Sequence, residues 1–191
     1  NREPDFQDDF SQTSKLWTFG SESNDGMSNM SFPVGQLNII VGPYNLGWAH
    51  NSNLLSKNFA LQVDAVYPNR TGSIMILFGK IPFTREEWTF HVNKFGQWKL
   101  VYSKNEESSI LASSLRTTSN SQDTATITIL LRGKECAIYL NQSFVTYLTD
   151  DRFGMGNQIG LGVDNGDGPS MTSMQYNSIK FWNLDNINTL P

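Results

Sequence analysis

The sequence predicts an all-β protein, a two-sheet antiparallel β-sandwich. Apolar residues recur at every second position through most of the chain, and turn residues interrupt these runs roughly every eight to twelve positions. Helical periodicity is nearly absent. Side chains of an extended chain point alternately to opposite faces, so each strand gains one apolar and one mixed face. With no helix long enough to cover a sheet, those apolar faces must be buried sheet on sheet.

In chain order, Phe6 to Phe10 forms a first short strand, followed by a Ser/Asn/Gly-rich loop over Ser21 to Ser31. Gln36 to Val41 is the next strand, closed by Gly42-Pro43. The stretch from Gly42 to His50 reads as loop, with Gly and Asn around Tyr44 and Trp48. Phe59, Leu61, Val63, Ala65 and Tyr67 alternate with Gln62 and Asp64. Gly72 to Phe78 is a nearly continuous apolar run, as a strand covered on both faces requires. Trp88-Phe90-Val92 and Trp98-Leu100-Tyr102 flank the turn Lys94-Phe95-Gly96 and form a hairpin. Glu87, Thr89, His91 and Asn93 then line its polar face, and Trp88, Trp98 and Trp182 belong to the core. Asn105 to Asp123 is a polar loop carrying one short strand. Ala125 to Leu131, Cys136 to Leu140 and Phe144 to Leu148 make a meander, with Gly133-Lys134 as a II′ turn and Asn141-Gln142 as the second turn. Gln158 to Val163 and Met174 to Trp182 close the chain.

A chain of 191 residues is long enough for one well-buried domain, here spanning 1–191. Net charge of −4 and a pI near 5.1 argue against a nucleic-acid partner, which needs a basic face. No apolar stretch approaches the roughly 18 residues of a transmembrane segment. The start at Asn1, with neither Met nor signal peptide, is expected of a piece of a larger protein. The single Cys136 cannot form an internal disulfide, which suits a cytosolic chain or a bacterial secreted domain. Sequons at Asn29, Asn69 and Asn141 are of the kind an Asn- and Ser-rich chain produces by chance.

Several stretches together resemble the concanavalin A-like, laminin-G-like domains appended to bacterial extracellular proteins. Phe6-Gln7-Asp8-Asp9-Phe10-Ser11 with Trp17 is similar to the opening of such domains, and Phe59 to Ala65 and Trp88 to Trp98 continue the likeness. It is closest at Gly133 to Gln142, where similar domains carry a Gly…Tyr-x-Asn-Gly hairpin. Asp151-Arg152-Phe153, Gly156, Ile159-Gly160-Leu161 and Ile179-Lys180-Phe181 also fit. The resemblance implies a jelly roll of two curved antiparallel sheets that binds glycans or proteins, in an extracellular, secreted or cell-surface setting.

Enzymes built on that sandwich, the laminarinase-like glycoside hydrolases, carry a Glu-x-Asp-x-x-Glu cluster on one strand, where two carboxylates share the acid and nucleophile roles. No stretch here has that spacing. Asp64 lacks a same-strand carboxylate partner, and Glu86-Glu87 and Glu106-Glu107 are adjacent pairs that face opposite ways in a strand. There is no Gly-x-Ser-x-Gly elbow, and Cys136 sits on an apolar strand face. The expectation is therefore a protein that is not an enzyme.

One Cys and two distant His do not make a zinc site. A structural calcium is the metal these residues could hold, at Asp8 and Asp9 or in the loop of Asp164 and Asp167, although solvated charge beside an edge strand and a Gly-rich turn are the favoured readings of the two places. Glycan sites pair aromatic faces with planar polar side chains. Tyr44 and Trp48, with Arg85, Thr89, His91 and Asn93, are the residues that fit this description. The expectation is a non-catalytic carbohydrate-binding or adhesion module of a larger extracellular protein, with a protein-interaction or structural sandwich as the alternative and a glycoside hydrolase ranked after it.

Overall fold

Alternation sorts the side chains as expected: in Phe59–Val66 every odd residue is buried and every even one is partly exposed. The computed structural model describes residues 2–12, 16–22, 27–69, 71–80, 86–115, 122–156, 158–166 and 168–185. Strands are numbered along the chain. Sheet 1 runs β13 (Ser143–Thr149), β12 (Glu135–Leu140), β11 (Thr124–Arg132), β6 (Phe59–Val66), β15 (Thr172–Asn183), β4 (Leu37–Val41), β3 (Asn29–Ser31), and β1 (Phe6–Asp8) also pairs with β15. Sheet 2 runs β10 (Glu107–Ser114), β9 (Trp98–Lys104), β8 (Glu86–Asn93), β7 (Ser73–Lys80), β14 (Gln158–Asp164), β5 (Leu46–Leu55), β2 (Trp17–Ser21). The strand pairings are antiparallel. The chain is a concanavalin A-like jelly-roll sandwich. Among the described residues no helix is long and apolar enough to cross a membrane.

The core lies between the sheets, with Leu61, Val63, Ile127 and Ile129 from sheet 1 against Ile74, Ile76, Phe90 and Leu161 from sheet 2. At one end Trp88 is fully buried, its ring 4.2 Å from that of Phe153 and 4.9 Å from that of Tyr102. Burial also pushes the Cys136 thiol up to about 12, which keeps it an inert core group. β7 is buried at six consecutive positions, because it is central in sheet 2 and both its faces are covered.

Three local expectations are corrected. The Gly42–His50 stretch is mostly strand: β5 begins at Leu46 and runs for ten residues. Its glycine and asparagine content disguised it: Gly47 takes an inward position, where a Cβ would stand 2.5 Å from Val41 Cγ1, so no apolar side chain marks it in the sequence. The one strand expected after Asn105 is present but is not short: β10 is an eight-residue edge strand, with Ser108, Ser109 and Ser113 exposed on the rim of sheet 2. Trp182 is not core: its neighbour Phe181 takes the inward position, and the indole Nε1 donates to the Arg2 carbonyl (3.0 Å). Trp98 is half-buried against Phe90 (6.1 Å).

Candidate functional site

The polar face of β8 is the outward face of sheet 2, and strand register fixes what lies beside it. One row across the sheet reads Lys99, His91, Met75, Gly162, Trp48, Gly20. The next reads Val101, Thr89, Leu77, Gly160, His50, Thr18. Glycines on both sides of Trp48 leave room for its ring. A Cβ on Gly20 would stand 3.0 Å from the indole, and one on Gly162 would stand 3.2 Å from the Trp48 Cβ.

Beneath this surface is a polar network. His91 Nε2 bonds to Thr89 Oγ1 at 2.8 Å. On its other side Nδ1 lies 2.8 Å from Asp164 Oδ2, close but not aligned for a hydrogen bond. Lys99 Nζ reaches the same carboxylate at 3.0 Å. Burial alone would raise the Asp164 carboxyl, but contact with His91 and Lys99 outweighs it and holds the group well below the usual carboxylate range. Burial lowers the pKa of His91, and that effect exceeds the opposing pull of Asp164. The ionised partner of Asp164 at neutral pH is therefore Lys99, with His91 neutral beside it.

Thr89 and His91 are only 5% and 6% exposed, and Met75 and Leu77 are buried with them. The centre of the face is therefore closed, and its open part is the flank at Trp48. There a narrow depression of about 10 Å³, room for about one water, is lined by Trp48, His50, Leu77, Lys80, Gln158 and Gly160. Lys80 spans it, with Nζ 5.2 Å from the Trp48 ring centroid and 3.2 Å from Glu87 Oε2. Glu22, just past β2, borders the same face. Its carboxyl is pushed up by partial burial and by the charges of Asp164 and Glu87. A wider depression of about 330 Å³ opens beside Tyr102, Lys104, Glu107 and Arg152. Its main charged groups are internally paired, Arg152 to Asp150 (2.8 Å) and Lys104 to Glu86 (3.4 Å).

Of the residues singled out in the sequence, Trp48, Thr89 and His91 share this face, the last two beneath its surface. Asn93 is engaged in the hairpin turn: its Oδ1 accepts from the backbone N–H groups of Phe95 and Gln97, both at 3.0 Å. Tyr44 is 67% exposed with φ +54° and sits in the connection from β4 to β5, at the end of the sandwich. Arg85 and Asp167 lie outside the described residues. Asp8 accepts from the Phe10 N–H (2.8 Å) and the Trp17 indole N–H (2.9 Å), and Asp9 accepts from the Ser11 N–H (3.0 Å). Asp164 ends β14 and serves the His91–Lys99 network with Oδ2, while its Oδ1 accepts from the Gly166 N–H of the following loop. Among the described residues no group of three or more His, Cys, Asp or Glu could hold a metal ion. The Asp8 and Asp164 carboxylates are thus engaged by protein donors. Sequence reasoning missed Glu22, His50, Lys80, Lys99 and Gln158, which only non-local strand pairing brings together.

No protein-family model matches the chain, and no curated protein matches it in sequence. Solved structures do match it in fold. The carbohydrate-binding module CBM66 from Bacillus subtilis superposes with a TM-score of 0.65 at 15% identity, covering 88% of this chain and 92% of that one. A Bacillus licheniformis β-glucanase gives 0.67 at 11%, covering 93% and 97%. The exoplasmic/lumenal domain of VIP36, in a Ca²⁺- and mannose-bound form, gives 0.63 at 12%, covering 92% and 86%. These likenesses establish the jelly-roll fold. They also correct the expectation that the protein is not an enzyme, because several similar structures are glycoside hydrolases and the fold is compatible with catalysis. Absence of a one-strand carboxylate motif was a weak ground for it: Glu22, Glu87 and Asp164 reach one face from three separate segments.

Proposed function

We propose that the protein is a carbohydrate-binding module of a larger extracellular protein, and that it holds its glycan on the outer face of sheet 2 with Trp48 as the stacking platform. The observation that carries this is the Trp48 flank: an indole seated between two glycines, bordered by the planar or charged donors His50, Lys80 and Gln158. Aromatic faces stack on sugar C–H surfaces, and polar groups at the rim take the hydroxyls. A carbohydrate-binding module and a mannose-bound lectin among the similar structures support this reading. Affinity electrophoresis against a panel of polysaccharides tests it. At least one glycan is expected to retard the wild-type protein, and Trp48→Ala to weaken that binding at least tenfold, about 1.4 kcal/mol. Retention by none, or a silent Trp48→Ala, overturns it.

One observation favours a second reading, glycoside hydrolysis on the same face. Glu22 is pushed toward the protonated form while Asp164 is held ionised, the division of roles an acid and a carboxylate partner need. Reducing ends released from the retained polysaccharide, and lost in Glu22→Gln, are its signature.

A further inference from the structure

We infer that the Trp48 face selects uncharged glycans and rejects those bearing uronate or sulfate groups, because among its described residues the lysines are already paired and the surplus charge is negative. The inference rests on the carbohydrate reading of that face. Among the described residues the titratable groups facing it are Glu22 beyond β2, His50 on β5, Asp164 on β14, Lys80 on β7, Glu87 and His91 on β8, and Lys99 on β9. Lys80 Nζ is 3.2 Å from Glu87, and Lys99 Nζ is 3.0 Å from Asp164. Neither ammonium is left to receive an anionic sugar without breaking its pair.

The histidines do not alter this balance. Burial, with help from Lys80, lowers the pKa of His50, and burial lowers that of His91. Both are neutral at pH 7. That leaves three carboxylates, Glu22, Glu87 and Asp164, against two ammonium groups, Lys80 and Lys99. Glu22 is the unmatched one among the described residues, and its pKa is raised first by partial burial and then by the field of Asp164 and Glu87. An incoming carboxylate or sulfate meets the same field. A neutral sugar does not, and Lys80 and Glu87 still offer it a donor and an acceptor beside the Trp48 ring.

The test uses neutral glucan, galactan, mannan, xylan and fructan, each beside its own carboxymethylated and sulfated derivative. For a polysaccharide the protein retains, the derivatives are expected to bind at least tenfold more weakly at low salt. The gap should close toward ~1 M salt, where the screening length is about 3 Å. Glu22→Gln should narrow it at least threefold. Equal or tighter binding of the derivatives overturns the inference. If Trp48→Ala still abolishes binding of the neutral parent, the carbohydrate reading survives that result. Retention of no polysaccharide, neutral or derivatised, overturns both.

Discussion

Asp164 shows how one residue ties the sheet to its surface. Its Oδ1 accepts from the Gly166 N–H (2.8 Å), ending β14, while Oδ2 meets His91 and Lys99 from two other strands. Only 9% of the side chain is exposed, so the charge is kept by partners and not by water. Removing it leaves Lys99, itself 41% exposed, free to rehydrate. Asp164→Asn is therefore expected to cost about 1–3 kcal/mol at pH 7, less than opening a deeply buried pair would. Because the folded carboxyl titrates below its unfolded value of about 3.9, this advantage is complete above that pH. It shrinks as pH falls toward the folded value. Urea denaturation of both proteins at pH 7 and at about pH 2.5 checks this, and a difference of equal size at both pH values contradicts it.

The β11–β12–β13 meander carries the same argument at the level of elements. Gly133, at φ +58°, opens the first turn, between Arg132 and Glu135. The second turn places Asn141 at φ +49° and Gln142 at φ +66°, the pattern of a type I′ turn. Asn141 suits that position, and its Oδ1 also accepts from the Thr126 N–H (2.8 Å). Gln142 does not suit it, since a side chain there meets the left-handed penalty that glycine escapes. Gln142→Gly should stabilise the protein by about 0.5–1 kcal/mol in thermal or urea unfolding, and a destabilised variant would show that Gln142 makes a contact worth more than its strain.

These strands were legible because each reports its own burial by alternation, and their turns use residues with a known backbone preference. β5 was hidden, since Gly47, His50, Asn51 and Asn53 break the hydrophobic pattern and its inward side is defined by a partner, Val41. The site was hidden for a related reason. Trp48 and His91 were visible as residue types, but nothing local says that β14 and β7 separate them or that His91 is submerged. Glu22 and Asp164, far apart in the chain, share a face only because β2, β5 and β14 are neighbours.

At the scale of the molecule, the strand order bears on whether the chain is one folding unit. β1 near the start pairs with β15 near the end, and β6 from the first half lies between β11 and β15. β14 likewise sits between β5 and β7. No cut along the chain leaves a piece with both a complete sheet and a covered core, so we expect residues 2–185 to unfold as a single domain. Ile129→Ala in sheet 1 and Phe90→Ala in sheet 2, both at fully buried positions, should each cost about 2–5 kcal/mol. Each should shift the near-ultraviolet circular dichroism of the Trp88–Tyr102–Phe153 cluster and the far-ultraviolet signal of all strands by the same amount of denaturant. The decisive case is Ile129→Ala, whose site is in the sheet opposite Trp88. If the aromatic signal keeps its wild-type midpoint in that variant while the strand signal moves, the two sheets unfold separately and the single-domain reading fails.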